Sequence, residues 1–77
     1  MKKLDVYQRP LARGKEIWCD GVKIGEVVDE YRGEAEIHWY HSRAEQRFDT
    51  QTLAVKDLGK AVFGEEEFEV SPDRDKI

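Results

Sequence analysis

One cysteine, two histidines and no apolar run near the roughly 20 residues of a bilayer span set the first limits on this 77-residue chain. Cys19 alone excludes an internal disulfide. His38 and His41 have no second cysteine or further histidine with which to complete a tetrahedral metal set. On a strand, positions i and i+3 point to opposite faces, which separates the two imidazoles. Met1-Lys2-Lys3-Leu4-Asp5 carries two positive charges with no apolar stretch behind them, so it is not read as a secretory signal. No Lys-Ser or Lys-Thr pair follows a glycine run, so Gly21, Gly25 and Gly33 do not form a phosphate loop. No membrane partner, cofactor or metal is expected. The expected location is the cytoplasm, in a bacterial-type protein.

What is present is charge, in three blocks. Hydrophobic and charged residues each make up 39% of the chain, and the net charge is −4. Residues 1–15 carry Lys2, Lys3, Arg9, Arg13 and Lys15 against Asp5, a balance of +4. Residues 16–64 and 65–77 each stand at −4. The body and tail should repel phosphates, and only the amino-terminal segment can attract them. The apolar residues are periodic and include two Trp, three Tyr and three Phe, which excludes a disorder composition.

The order of elements follows from turn chemistry and periodicity. Residues 1–14 read as a basic arm, with a short strand or extended stretch at Leu4-Asp5-Val6-Tyr7 and a flexible connection at 8–14 around Pro10 and Gly14. Residues 15–64 read as the folded unit. Residues 16–19 and 22–28 alternate around Asp20-Gly21, the pair that a type I′ turn demands. Gly25 inside the second strand marks a bulge or a close approach. In residues 34–41, Ala35, Ile37 and Trp39 share one face, and Glu34, Glu36, His38 and Tyr40 the other. Arg47-Phe48 can add a brief strand.

A helix follows from Asp49 or Thr50. With Asp49 as cap, Phe48 and Leu53 take the positions of a hydrophobic staple. Leu53, Ala54, Leu58, Ala61 and Val62 form a stripe at helical spacing, and Gly64 supplies the stop. Gly59 either weakens the last turns or admits close packing on the sheet. Residues 65–77 read as an acidic tail with a candidate strand at 65–70, and Ser71-Pro72 onward as disordered. The expected architecture is α+β: an antiparallel meander of three to five strands with one helix, in the C-terminal half, packed on one face. The expected core is Ile24, Val22 or Val27, Ile37, Trp39, Phe48, Leu53, Leu58 and Val62.

Candidate chemistry is sparse. Cys19 shares an apolar strand face with Ile17, the setting of a small buried hydrophobe rather than a nucleophile. The carboxylates Glu34 and Glu36 read as solvated. No nucleophile, base and oxyanion site assemble, so no enzyme is expected. If Ile17 faces the helix, Trp18 and Tyr40 lie on the outer sheet face. If Trp18 faces inward, Ile17 is outside. Exposed sheet aromatics can anchor a protein or stack bases.

The segment 16–63, through its Asp20-Gly21 hairpin, Gly25, Trp39 and Phe48-Asp49-Thr50 leading to Ala54, resembles many small bacterial and prophage-encoded proteins. Its layout is also similar to the arm-binding amino-terminal domain of tyrosine recombinases. That resemblance implies a sheet laid in a DNA groove. The chain departs from it in its acidic strands and in having no catalytic domain after the helix.

The expected function is therefore that of a small accessory protein, of phage or prophage kind. It binds a protein partner through Trp18, Glu34, Glu36, His38 and Tyr40 or through a sheet edge, which can also pair two copies into a homodimer. The alternative is nucleic-acid binding by Lys2, Lys3, Arg9, Arg13, Lys15, Arg43 and Arg47.

Overall fold

Asp20 and Gly21 hold φ values of 52° and 78°, the two positive angles of a type I′ turn. They join β2 (Lys15–Cys19) to β3 (Val22–Arg32) in the central hairpin of the sheet. The structure is a computed structural model that describes residues 1–10, 12–32 and 36–74; of residues 32, 36, 37 and 72–74 it describes the backbone alone. The remaining elements are β1 (Lys2–Gln8), β4 (Glu36–His41), α1 (Gln51–Phe63) and β5 (Phe68–Arg74). The class is α+β, with the helix in the C-terminal half.

The strand order is β4-β3-β2-β1-β5. The first four strands form an antiparallel meander, but β5 lies parallel to β1. The expected pure meander is therefore corrected to a mixed sheet of five strands. The reason is the route of the helix. α1 carries the chain across the sheet face to the opposite edge, where the chain enters beside Lys2. A strand reached by such a crossover can pair parallel.

β1 is an integral strand, formed by residues read from sequence as arm. Leu4 and Val6 are fully buried and pair with Cys19 and Ile17. Residues 68–74 form β5, which includes Ser71 and Pro72, expected to be disordered. Pairing shifts between Leu4 and Val6, opposite the segment holding Pro72. An edge strand or a bulge is where a residue without an amide proton is tolerated.

The core consists of Leu4, Val6, Ile17, Cys19, Val27, Ala54, Val55 and Leu58. Ile24, Trp39, Phe48, Val62, Phe63, Phe68 and Val70 pack around it. Of the expected core, Val27 and Leu58 are fully buried, while Val22 at the hairpin end is 63% exposed. The side chain of Ile37 lies outside the described residues. Leu53 is 49% exposed, because the cap is Thr50 rather than Asp49. Thr50 Oγ1 accepts from the Leu53 amide at 3.1 Å. This register makes Ala54, not Leu53, the N4 residue, and the buried face becomes Ala54, Val55, Leu58 and Gly59. The expected staple of Phe48 on Leu53 does not form, and Phe48 packs on the core and on the His41 ring instead.

Gly25 and Gly59 mark close approaches. A Cβ on Gly25 would meet the Leu58 methyls at 2.9 Å, and one on Gly59 the Phe68 ring at 2.5 Å. The register shift between Ile17 and Trp18 leaves Ile24, next to Gly25 on β3, as the bulged residue. Phe48 and Trp39 exchange amide hydrogen bonds of 2.7 and 2.8 Å, which gives the brief pairing expected at Arg47-Phe48.

Candidate functional site

Ile17 faces the helix, which places Trp18 on the outer face of the sheet. There Trp18 meets the Tyr7 ring edge-on at 6.4 Å, a diagonal cross-strand contact. Its Nε1 donates to Glu16 at 3.1 Å. Lys23 bridges Glu16 and Glu26 at 3.5 and 3.3 Å. Tyr40 stands elsewhere on that face. It pairs with Val28, whereas Trp18 pairs with Lys23. The two are separated by roughly 15 Å along β3 and by two strand spacings, about 10 Å, across it. His38 accompanies Tyr40, opposite Glu30. Glu34 lies outside the described residues, as does the side chain of Glu36. The described members of the expected protein-binding set thus fall into two patches.

The expected nucleic-acid set is largely engaged with the protein's own side chains. Lys2 pairs with Glu66 at 3.5 Å and Lys3 with Glu69 at 3.6 Å. Arg9 holds Glu26 at 2.9 Å. Arg13 reaches Asp29 at 3.6 Å and stacks on Tyr31 at 4.3 Å. Lys15 donates to Gln8 at 2.7 Å, and Arg47 meets Glu30 at 3.4 Å. Of this set, only Arg43 has a side chain with no partner among the described residues. A phosphate backbone would have to displace carboxylates to reach most of these cations.

The two histidines diverge as the alternation requires. His38 lies on the outer face, while the His41 side chain is fully buried beneath α1. His41 Nε2 lies 2.8 Å from Asp57 Oδ2. Nδ1 accepts the Arg43 amide at 3.1 Å, and the ring stacks on Phe48. Both nitrogens are occupied, so the imidazole serves as a link between β4 and α1. The sequence signal for this was available: His41 shares its strand face with Ile37 and Trp39. Cys19 is buried, and its thiol is pushed above the ordinary value by burial and then by the charge of Asp20. That opposes thiolate formation and nucleophilic use.

The sheet's two edges differ. On β4, Phe48 occupies the outer edge at Trp39. β5 is the opposite edge. The Lys2 amide donates to the Glu67 carbonyl, and backbone groups along a strand alternate between its two sides. Glu67 and Glu69 therefore address β1, while Phe68 and Val70 turn their N–H and C=O outward. Neither has a further backbone partner among the described residues.

Beside this edge runs a groove between α1 and β5. It consists of two adjoining hollows of about 760 and 570 Å³ that share Lys56, Phe68, Glu69 and Val70. Val55, Gln51 and Thr52 line one end, and Lys60 with Glu65, Glu66 and Glu67 the other. Lys56 and Lys60 are exposed and carry no ion pair among the described residues. The alternation of Phe68 and Val70 was visible in the sequence. The place of Lys56 and Lys60 on the groove wall was not, because nothing local tells which helix face meets a strand that arrives from the far edge.

No helix among the described residues is long and apolar enough to cross a membrane. Comparison with protein families, with curated proteins and with solved structures finds no match.

Proposed function

We propose that this chain is a non-enzymatic protein-interaction module that takes an extended segment of a partner protein onto the free edge of β5. The observation that carries the reading is the outward backbone of Phe68 and Val70 beside the α1–β5 groove. A strand added at such an edge gains main-chain hydrogen bonds, and its alternate side chains enter the neighbouring groove. The half-buried Phe68 and Val70 supply an apolar floor. Nucleic-acid binding is disfavoured by the ion pairs that already neutralise most of the basic set.

The test is an amide NMR titration with acetylated, amidated heptapeptides rich in Thr and Ile, and in parallel with short mixed DNA and RNA at low salt. Shifts centred on residues 68–71 and on the α1 wall, with peptide alone, are expected. Shifts confined to Lys2, Arg9, Arg13 and Arg43 with DNA or RNA, fading as salt rises, would replace this reading with the nucleic-acid one.

A further inference from the structure

We infer that the segment taken up by β5 presents an aromatic side chain to α1, and that this ring seats against Phe68 beside the ammonium groups of Lys56 and Lys60. This rests on the edge-binding reading above and names the side chain that the groove selects.

The lining of the larger hollow carries both signs of charge. Lys56 and Lys60 stand on its wall, and Glu65, Glu66, Glu67 and Glu69 on its rim. Glu66 and Glu69 are held by Lys2 and Lys3. Glu65 and Glu67, like Lys56 and Lys60, have no ion pair among the described residues. A charged side chain entering here meets like charge as well as opposite charge, so the lining favours neither a carboxylate nor an ammonium. The floor of Phe68 and Val70 favours an apolar group. An aromatic ring satisfies both conditions, because it is uncharged and apolar and its face attracts cations.

The protein makes this kind of contact next door. Lys2 Nζ lies 5.3 Å from the centre of the Phe63 ring. Phe63 in turn meets Phe68 at 6.2 Å, tilted by 50°. Phe68 lies close under Gly59, where a Cβ would meet its ring at 2.5 Å, and it lines both hollows. A ring set against Phe68 extends this row by one, in the manner of aromatic pairs. Lys56 and Lys60, one helical turn apart, line the same hollow. Its volume of about 760 Å³ leaves room for the ring. A strand added along β5 places alternate side chains on the helix side. The matching pattern is an aromatic residue opposite Phe68 and an aliphatic one two positions away, opposite Val70.

Four acetylated, amidated heptapeptides test this by NMR titration: Thr-Ile-Thr-Phe-Thr-Ile-Thr, and the same peptide with Leu, Glu or Lys in place of Phe. The Phe peptide is expected to shift the Phe68 and Val70 amides. It should bind roughly threefold to tenfold more tightly than the Leu peptide, and more tightly again than the Glu and Lys peptides. Its ring should move the Val70 methyl and Lys60 ε-methylene resonances upfield, which Leu cannot do. The double variant Lys56→Gln, Lys60→Gln changes only exposed side chains, so it should keep the fold and narrow the gap between the Phe and Leu peptides by about twofold or more. Equal affinity of the Phe and Leu peptides, a preference for Glu or Lys, or a Phe advantage that the double variant leaves unchanged would overturn the aromatic seat and leave edge binding standing. No shift from any peptide would overturn edge binding itself.

Discussion

His41 and Asp57 tie the end of β4 to the middle of α1: Nε2 lies 2.8 Å from Oδ2, with the imidazole fully buried and the carboxylate half-exposed. The opposite ring nitrogen accepts the Arg43 amide. With Nδ1 accepting, Nε2 is the ring nitrogen that donates to Asp57. Removing the ring leaves a cavity and an unpaired amide. His41→Ala should cost about 2–4 kcal/mol. Asp57→Asn, whose side chain water can reach, should cost no more than about 1 kcal/mol. Urea unfolding of both variants measures the difference.

The helix register gives a second pair of outcomes. Leu58 is fully buried and Leu53 is half-exposed, so Leu58→Ala should cost about 2–5 kcal/mol and Leu53→Ala well under that. Thr50→Ala should cost about 0.5–2 kcal/mol through the lost cap, while Asp49→Ala should be near neutral. Thermal or urea denaturation of the four variants reads this directly. A costly Asp49→Ala beside a near-neutral Thr50→Ala would place the helix start one residue earlier.

Gly25→Ala should be destabilising by about 1–3 kcal/mol, although Ala is ordinarily better than Gly within a strand. The added methyl meets the Leu58 side chain at 2.9 Å. In the double variant Gly25→Ala, Leu58→Ala the methyl has room, so the combined cost should be less than the sum of the two single costs.

The Cys19 thiol is raised above its ordinary value, first by burial and then by Asp20. A group whose folded value is raised stabilises the fold below the unfolded value, about 9, and loses that stabilisation as pH climbs through the folded value. Stability should therefore fall above about pH 9, and Cys19→Ala should flatten that fall. Thiol labelling at neutral pH should be slow until denaturant opens the sheet.

Local chemistry made much of the fold legible. Asp20-Gly21 declared its turn, Gly25 its bulge and close contact, and Gly64 the end of the helix, whose start lay open between Asp49 and Thr50. The sequence obscured what depends on distant pairing. Leu4 and Val6 look like scattered apolar residues in a basic arm until Ile17, Cys19 and β5 surround them. The cations of that arm look free for phosphate until Glu26, Asp29, Glu66 and Glu69 fold onto them. The same holds for the candidate site. Phe68 and Val70 alternate visibly, but their place on a sheet edge is set by a parallel crossover with no local signature. Trp18 and Tyr40, which the sequence suggested as one surface, are parted by the length of β3 between Lys23 and Val28.

Residue-resolved hydrogen exchange along β5, with and without an acetylated, amidated heptapeptide rich in Thr and Ile, tests the central claim most directly. In the free protein the amides of Glu69 and Ser71, turned toward β1, should exchange slowly, and those of Phe68 and Val70 should exchange fast. Saturating peptide should slow Phe68 and Val70 at least tenfold and leave the protection of Glu69 unchanged. Phe68 and Val70 amides that are already protected in the free protein, or that stay fast at saturation, would contradict a free, strand-accepting edge at β5.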